Sequence, residues 1–178
     1  MLRRGGGRAF LAAFGILVGS AAQAADFDPL SFFAGRATSE GTVTTALVFT
    51  EPFTATFEGR VSKGKLVLDE RFRFPEGERL QRWHLRAAGF ERYVGTVETA
   101  GASGALHAPV PVTGRIEAGR LRLDYRGYAP GGDTLLTFRH RIALRPDGTA
   151  ENRVRVSTFG LPLATSRVVF RKVPRGTK

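Results

Sequence analysis

The chain has 178 residues, with three histidines, 16 acidic residues and no cysteine, and that inventory narrows the chemistry open to it. Without cysteine there is no thiolate nucleophile, no Cys-ligated zinc or iron–sulfur centre, no disulfide framework and no lipid-modified N-terminal Cys. His84, His107 and His140 do not fall at metal-binding spacing, so no metal is expected. Triad chemistry needs Ser, His and a carboxylate converging, and the sequence has no Gly-x-Ser-x-Gly elbow. Asp69 and Glu70 are neighbours, so on a strand they face opposite ways and cannot work as a carboxylate pair. Gly101-Ala102-Ser103-Gly104 lacks the following helix that a phosphate cradle requires. No cofactor is expected. Catalysis with Glu70 or His140 as acid or base is the least favoured reading.

The elements that would position those residues are strands. From Phe49 onward, turn residues recur at short intervals, as at Ser62-Lys63-Gly64, Pro75-Glu76-Gly77, Glu117-Ala118-Gly119 and Pro146-Asp147-Gly148. Between them apolar and polar residues alternate. Leu66, Leu68, Phe72 and Phe74 share one face, while Lys65, Asp69, Arg71 and Arg73 share the other. Leu121, Leu123 and Tyr125 oppose arginines and Asp124, and Phe138 and Ile142 oppose Arg139 and Arg141. Helical periodicity is confined to Asp28–Phe33, where Asp28 can cap a short turn that begins at Pro29. The expectation is an all-β fold. A single antiparallel meander of about eight to ten strands closes into a lipocalin- or calycin-like barrel, with the short helical turn as a plug over one end.

Against that pattern, a few polar residues intrude on the inward face. Glu70 lies between Leu68 and Phe72, His140 lies between Phe138 and Ile142, and Asn152 shares a face with Val154 and Val156. An inward carboxylate is costly unless paired or neutralised. Arg82 is on the next strand and is expected to answer it, which turns Leu80, Arg82 and His84 inward and Trp83 outward or toward a sheet edge. The candidate ligand site is therefore Glu70, Arg82, Trp83, His140 and Asn152 for a head group, with Phe72, Phe74, Tyr125 and Phe138 among the walls. Phe53, Phe57, Leu123 and Phe170 complete those walls.

The N-terminal segment 1–24 reads as an address. Arg3, Arg4 and Arg8 precede an apolar run from Ala9 to Val18, and Ala22-Gln23-Ala24 forms a small-residue cleavage site, the layout of a secretory signal peptide. The run is too short to span a bilayer. Residues 25–178 are then one domain, soluble and periplasmic or secreted. The formal net charge is +11. Arg far outnumbers Lys, and basic runs are not clustered with stacking aromatics, so nucleic acid is not expected as a partner. Peripheral contact with an anionic membrane surface is compatible with the charge.

Three stretches carry a family resemblance. Phe32-Phe33-Ala34-Gly35 with Gly41 resembles the opening motif of the bacterial family called domain of unknown function 3833. Leu68-Asp69-Glu70-Arg71-Phe72, the Gly77-Glu78 turn and Arg82-Trp83 are similar to its carboxylate-aromatic stretch, and Asn152-Arg153, Phe159-Gly160 and Val168 to Lys172 to its closing motif. The likeness runs from about Phe27 to Lys172 and implies a cell-envelope protein with no assigned activity. It adds weight to Glu70, Arg82, Trp83, Asn152 and Gly160. Where members tend to have an acidic pair before a Trp, this chain has Thr137-Phe138-Arg139-His140. Together these readings favour an exported barrel that binds a small apolar or amphipathic, lipid-like ligand. The alternative is a structural or interaction protein of the envelope with a filled barrel.

Overall fold

A computed structural model describes residues 27–46 and 48–174. The signal-peptide reading falls on residues 1–24 and lies outside the described residues.

Among the described residues the first element is one helical turn, α1 (Pro29–Phe32), and every later element is a strand. Asp28 caps α1 by accepting from the backbone N–H groups of Leu30 and Ser31, and Pro29 fixes the first helical φ. Ten strands follow: β1 (Gly35–Thr45), β2 (Phe49–Ser62), β3 (Lys65–Phe74), β4 (Gly77–Ala87), β5 (Arg92–Thr99), β6 (Val110–Glu117), β7 (Arg120–Tyr128), β8 (Leu135–Leu144), β9 (Ala150–Thr158) and β10 (Leu161–Lys172). Each pairs antiparallel with its neighbour in sequence, and β1 pairs with β10, which closes the barrel and leaves no free edge. The expected meander is borne out, at the upper end of the expected strand number.

The hairpins carry the turn chemistry that the sequence advertises. Lys63-Gly64, Ala118-Gly119 and Phe159-Gly160 each place two consecutive residues at positive φ, the tight turn that matches strand twist. Connections on the α1 side of the barrel are those between β2 and β3, β4 and β5, β6 and β7, and β8 and β9. The opposite rim carries the β1–β2, β3–β4, β7–β8 and β9–β10 turns and the longer segment 100–109.

One contiguous core fills the closed end. Phe27, Phe32 and Phe33 contact one another and reach Phe57 and Phe170 on the wall, with Phe33–Phe170 centroids 5.4 Å apart at 74°. Gly59 is what lets α1 sit this low, because a Cβ there would stand 1.7 Å from the Phe33 carbonyl oxygen. Lys172 Nζ donates to the Ser31 carbonyl at 2.8 Å and ties the plug to the last strand. The outer wall is charged and the inner wall apolar, which is the reverse of the alternation in a lipid-exposed barrel. Among the described residues, no helix is long and apolar enough to cross a membrane.

Candidate ligand-binding site

Above the plug the barrel encloses a cavity of about 340 Å³, open toward the rim opposite α1. Its wall is mainly apolar. Phe53, Phe57, Phe72, Phe74, Leu123, Phe138 and Phe170 all line it, as expected. Near the opening, Phe72 and Phe74 stack at 5.8 Å, and Phe53 lies against both.

The polar intruders gather on two stretches of wall. On β3 and β4, Glu70 faces inward and its Oε2 accepts from the Trp83 indole Nε1–H at 3.1 Å. Directly across from Glu70 is Gln81, whose amide donates to Thr99 Oγ1 at 2.8 Å. On β8 and β9, Asn152 Nδ2 lies 3.0 Å from His140 Nδ1. Tyr125 joins the two groups. Its ring stacks on Phe138 at 4.8 Å and on His140 at 5.6 Å, and meets Trp83 edge-on at 5.4 Å.

The expected Glu70–Arg82 pairing is not what the structure contains. Arg82 points outward and forms a two-pronged ion pair with Asp69, Nε–Oδ1 2.6 Å and Nη2–Oδ2 3.0 Å. Trp83 points inward, not outward, and His84 lies on the outer surface 3.5 Å from Glu98. The reason is register. The short turn at Pro75-Glu76 pairs Phe74 with Gly77, which sets Glu70 opposite Gln81 and Asp69 opposite Arg82. Residues directly opposite share a face, so Gln81, Trp83 and Leu85 go in with Leu66, Leu68 and Glu70. The same turn-length argument was available from the sequence. Gln81 and Thr99 are inward polar residues that apolar periodicity alone does not flag.

Burial sets the protonation of the cluster. Removal from water raises the Glu70 carboxyl to about 8, with the Trp83 hydrogen bond pulling the other way. Burial lowers His140 to about 4, against a weaker opposing pull from Asp124. The Tyr125 phenol is pushed upward by burial first and by the neighbouring Glu70 second. At neutral pH the interior therefore holds a protonated acid, a neutral imidazole and a neutral phenol. With Asn152 Nδ2 donating to His140 Nδ1, the ring proton lies on Nε2. Two buried polar atoms in this group have no partner among the described residues, His140 Nε2 and Asn152 Oδ1.

The acids outside behave oppositely. Glu151 is held near 2 by Arg145 first and then by Arg153 and Arg167. Asp69 is held below its usual range chiefly by its hydrogen bond with Arg82.

The family model described as "Protein of unknown function (DUF3833)" matches residues 17–172. No curated protein matches the chain.

Proposed function

The chain belongs to the DUF3833 family, whose function is unknown, and from its own geometry we propose that it is an exported barrel that holds a small amphipathic ligand. The ligand's apolar part lies along the phenylalanine wall and its uncharged head group lies among Glu70, Tyr125, His140 and Asn152. The observation that carries this reading is the pair of polar atoms without a partner among the described residues, His140 Nε2–H and Asn152 Oδ1, on residues that line a mainly apolar cavity. A buried donor and a buried acceptor left unpaired each cost free energy, and a hydroxyl, amide or protonated carboxyl satisfies both at once. The volume of about 340 Å³ falls at the small end of ligand pockets. A neutral interior also disfavours a charged head group, because that charge would be buried without a counter-ion.

Trp83 is the only tryptophan in the chain and stands in the cavity wall, so its fluorescence reports occupancy without a label. Titration with medium-chain fatty alcohols and fatty acids, alongside native mass spectrometry of protein taken from its cell of origin, tests the proposal. Saturable Trp83 quenching or a co-purifying small molecule is the expected result. If neither appears, the cavity holds no ligand of this class, and the polar cluster only locks strand register.

A further inference from the structure

Of the nine most exposed large apolar side chains among the described residues, five lie on the open rim, while Val61, Val67, Val173 and Phe90, the last 88% exposed at the β4–β5 turn on the α1 side, lie elsewhere. The five are Val48 and Phe49 at the β1–β2 turn, Phe159 and Leu161 at the β9–β10 turn and Leu135 at the start of β8. The first two hairpins are neighbours because β1 pairs with β10, and the Ala46 N–H donates to the Leu163 carbonyl at 3.0 Å where they meet. Phe159 is 99% exposed and also sits at positive φ (47°), a turn position better suited to Asn, Asp or Gly. At that exposure the ring stands almost wholly clear of the described residues.

A second feature lies on the outer wall, nearer the α1 end than the rim. Strand register places Arg92, Arg115, Arg122, Arg141, Arg153 and Arg167 in one continuous row across the outer faces of β5 to β10. Like charges directly opposite one another weaken a sheet. Glu117, Asp124 and Glu151 relieve part of the row, but among the described residues Arg141, flanked by Arg122 and Arg153, makes no ion pair, nor does Arg155 one row nearer the rim.

We propose that the open rim docks on an anionic lipid bilayer. Phe159, Leu161 and Phe49 enter the headgroup–acyl boundary, and the barrel leans so that the arginine face of β8–β10 meets the headgroups. Exposed apolar tips, with exposed Arg155 four residues before Phe159 on the same hairpin and the arginine row further down the wall, supply the two components of interfacial binding, and an anionic bilayer is the surface that satisfies both. A soluble polyanion would engage the arginines and leave the tips in water. Docking does not depend on the ligand reading. If both hold, the cavity opens directly against lipid, and an amphipathic molecule passes between them without crossing water.

The full chain is compared with its variants on phosphatidylglycerol–phosphatidylcholine vesicles, so that residues 1–26 are common to every sample. Wild type is expected to co-sediment, and Phe159→Ser with Phe49→Ser to weaken partition about tenfold. Arg141→Gln with Arg155→Gln is expected to reduce binding and flatten its dependence on salt. Because the chain has no cysteine, Leu161→Cys takes a single polarity-sensitive dye, as does Phe90→Cys on the opposite end. A blue shift on vesicles at 161 and none at 90 supports rim-first docking. Equal partition of all variants, equal shifts at both positions, or capture by heparin without vesicle binding overturns it. Trp83 titration in the absence of vesicles reads the cavity separately, so either proposal can fail alone.

Discussion

The indole Nε1–H of Trp83 donates to Oε2 of Glu70 at 3.1 Å, joining the chain's only tryptophan to a carboxyl buried inside the barrel. The contact is diagonal across β3 and β4, since Trp83 stands opposite Leu68 and Glu70 stands opposite Gln81. It fixes an acid where no cation reaches it, and the acid responds by keeping its proton.

That proton makes stability fall with rising pH. An unfolded Glu ionises near 4.5, whereas native Glu70 holds its proton to about 8, so the unfolded state is favoured progressively across that interval. The slope contributed is about 1.4 kcal/mol per pH unit. His140 acts in the opposite sense. The unfolded imidazole takes a proton below about 6.5, and the native one resists until about 4, so stability falls as the solution is acidified through that range. The two slopes cancel between about 4.5 and 6.5, and denaturant melts should show a plateau there with a decline from 6.5 to 8. Glu70→Gln keeps an acceptor for Trp83 and should remove the alkaline decline. An unchanged decline in that variant would place its origin elsewhere.

Outside, Arg82 and Asp69 form a geometrically good but partly solvated pair. Arg82→Ala should therefore cost about 1 kcal/mol or less. Trp83→Ala, one residue along but inside, should cost about 3–5 kcal/mol. Urea melts of the two variants compare the faces of β4 directly, and a larger loss for Arg82→Ala would contradict the register.

Asn152→Leu replaces a half-satisfied amide with an apolar side chain of similar size. Stability should change by less than about 1.5 kcal/mol in either direction. Ligand quenching of Trp83 should weaken by about tenfold, the equivalent of one lost hydrogen bond. Unaltered affinity in a folded Asn152→Leu protein would remove Asn152 from the head-group site.

At the closed end, Asp28 caps α1 and also accepts from the Tyr93 hydroxyl at 3.2 Å. Asp28→Ala should cost about 1 kcal/mol. Gly59→Ala drives a methyl into the Phe33 carbonyl and should cost about 2 kcal/mol or more, or displace the plug. Hydrogen exchange at Phe32 and Phe33, whose amides donate to Asp28 and Pro29, should rise in both variants and not in wild type.

The period-two pattern made most of this architecture readable before any coordinates. Leu66, Leu68, Phe72 and Phe74 announced the inner face of β3, Asp28-Pro29 announced the plug, and the inward positions of Glu70, His140 and Asn152 followed from the same count. On β4 the pattern is ambiguous, because Leu80 marks one phase while Trp83 and Leu85 mark the other. Reasoning from charge, with Arg82 answering Glu70, selected the wrong phase. The two-residue turn at Pro75-Glu76 decides it, since register propagates from the turn and places Gln81 across from Glu70. The neutral state of the cluster was illegible for a different reason. It depends on the absence of any nearby cation, which only the assembled wall reveals.

The pairing of β1 with β10 makes the two ends of the folded domain a seam. Until the last strand is in place the vessel has no wall on one side, so truncation within β10 should abolish the interior as a whole and not merely trim it. The Val173 N–H donates to the Arg36 carbonyl at 3.0 Å, beside the plug, so start and finish lie within reach of one another. A short linker joining them, with new termini cut into the loop at 102–105, should give a circularly permuted protein that still closes.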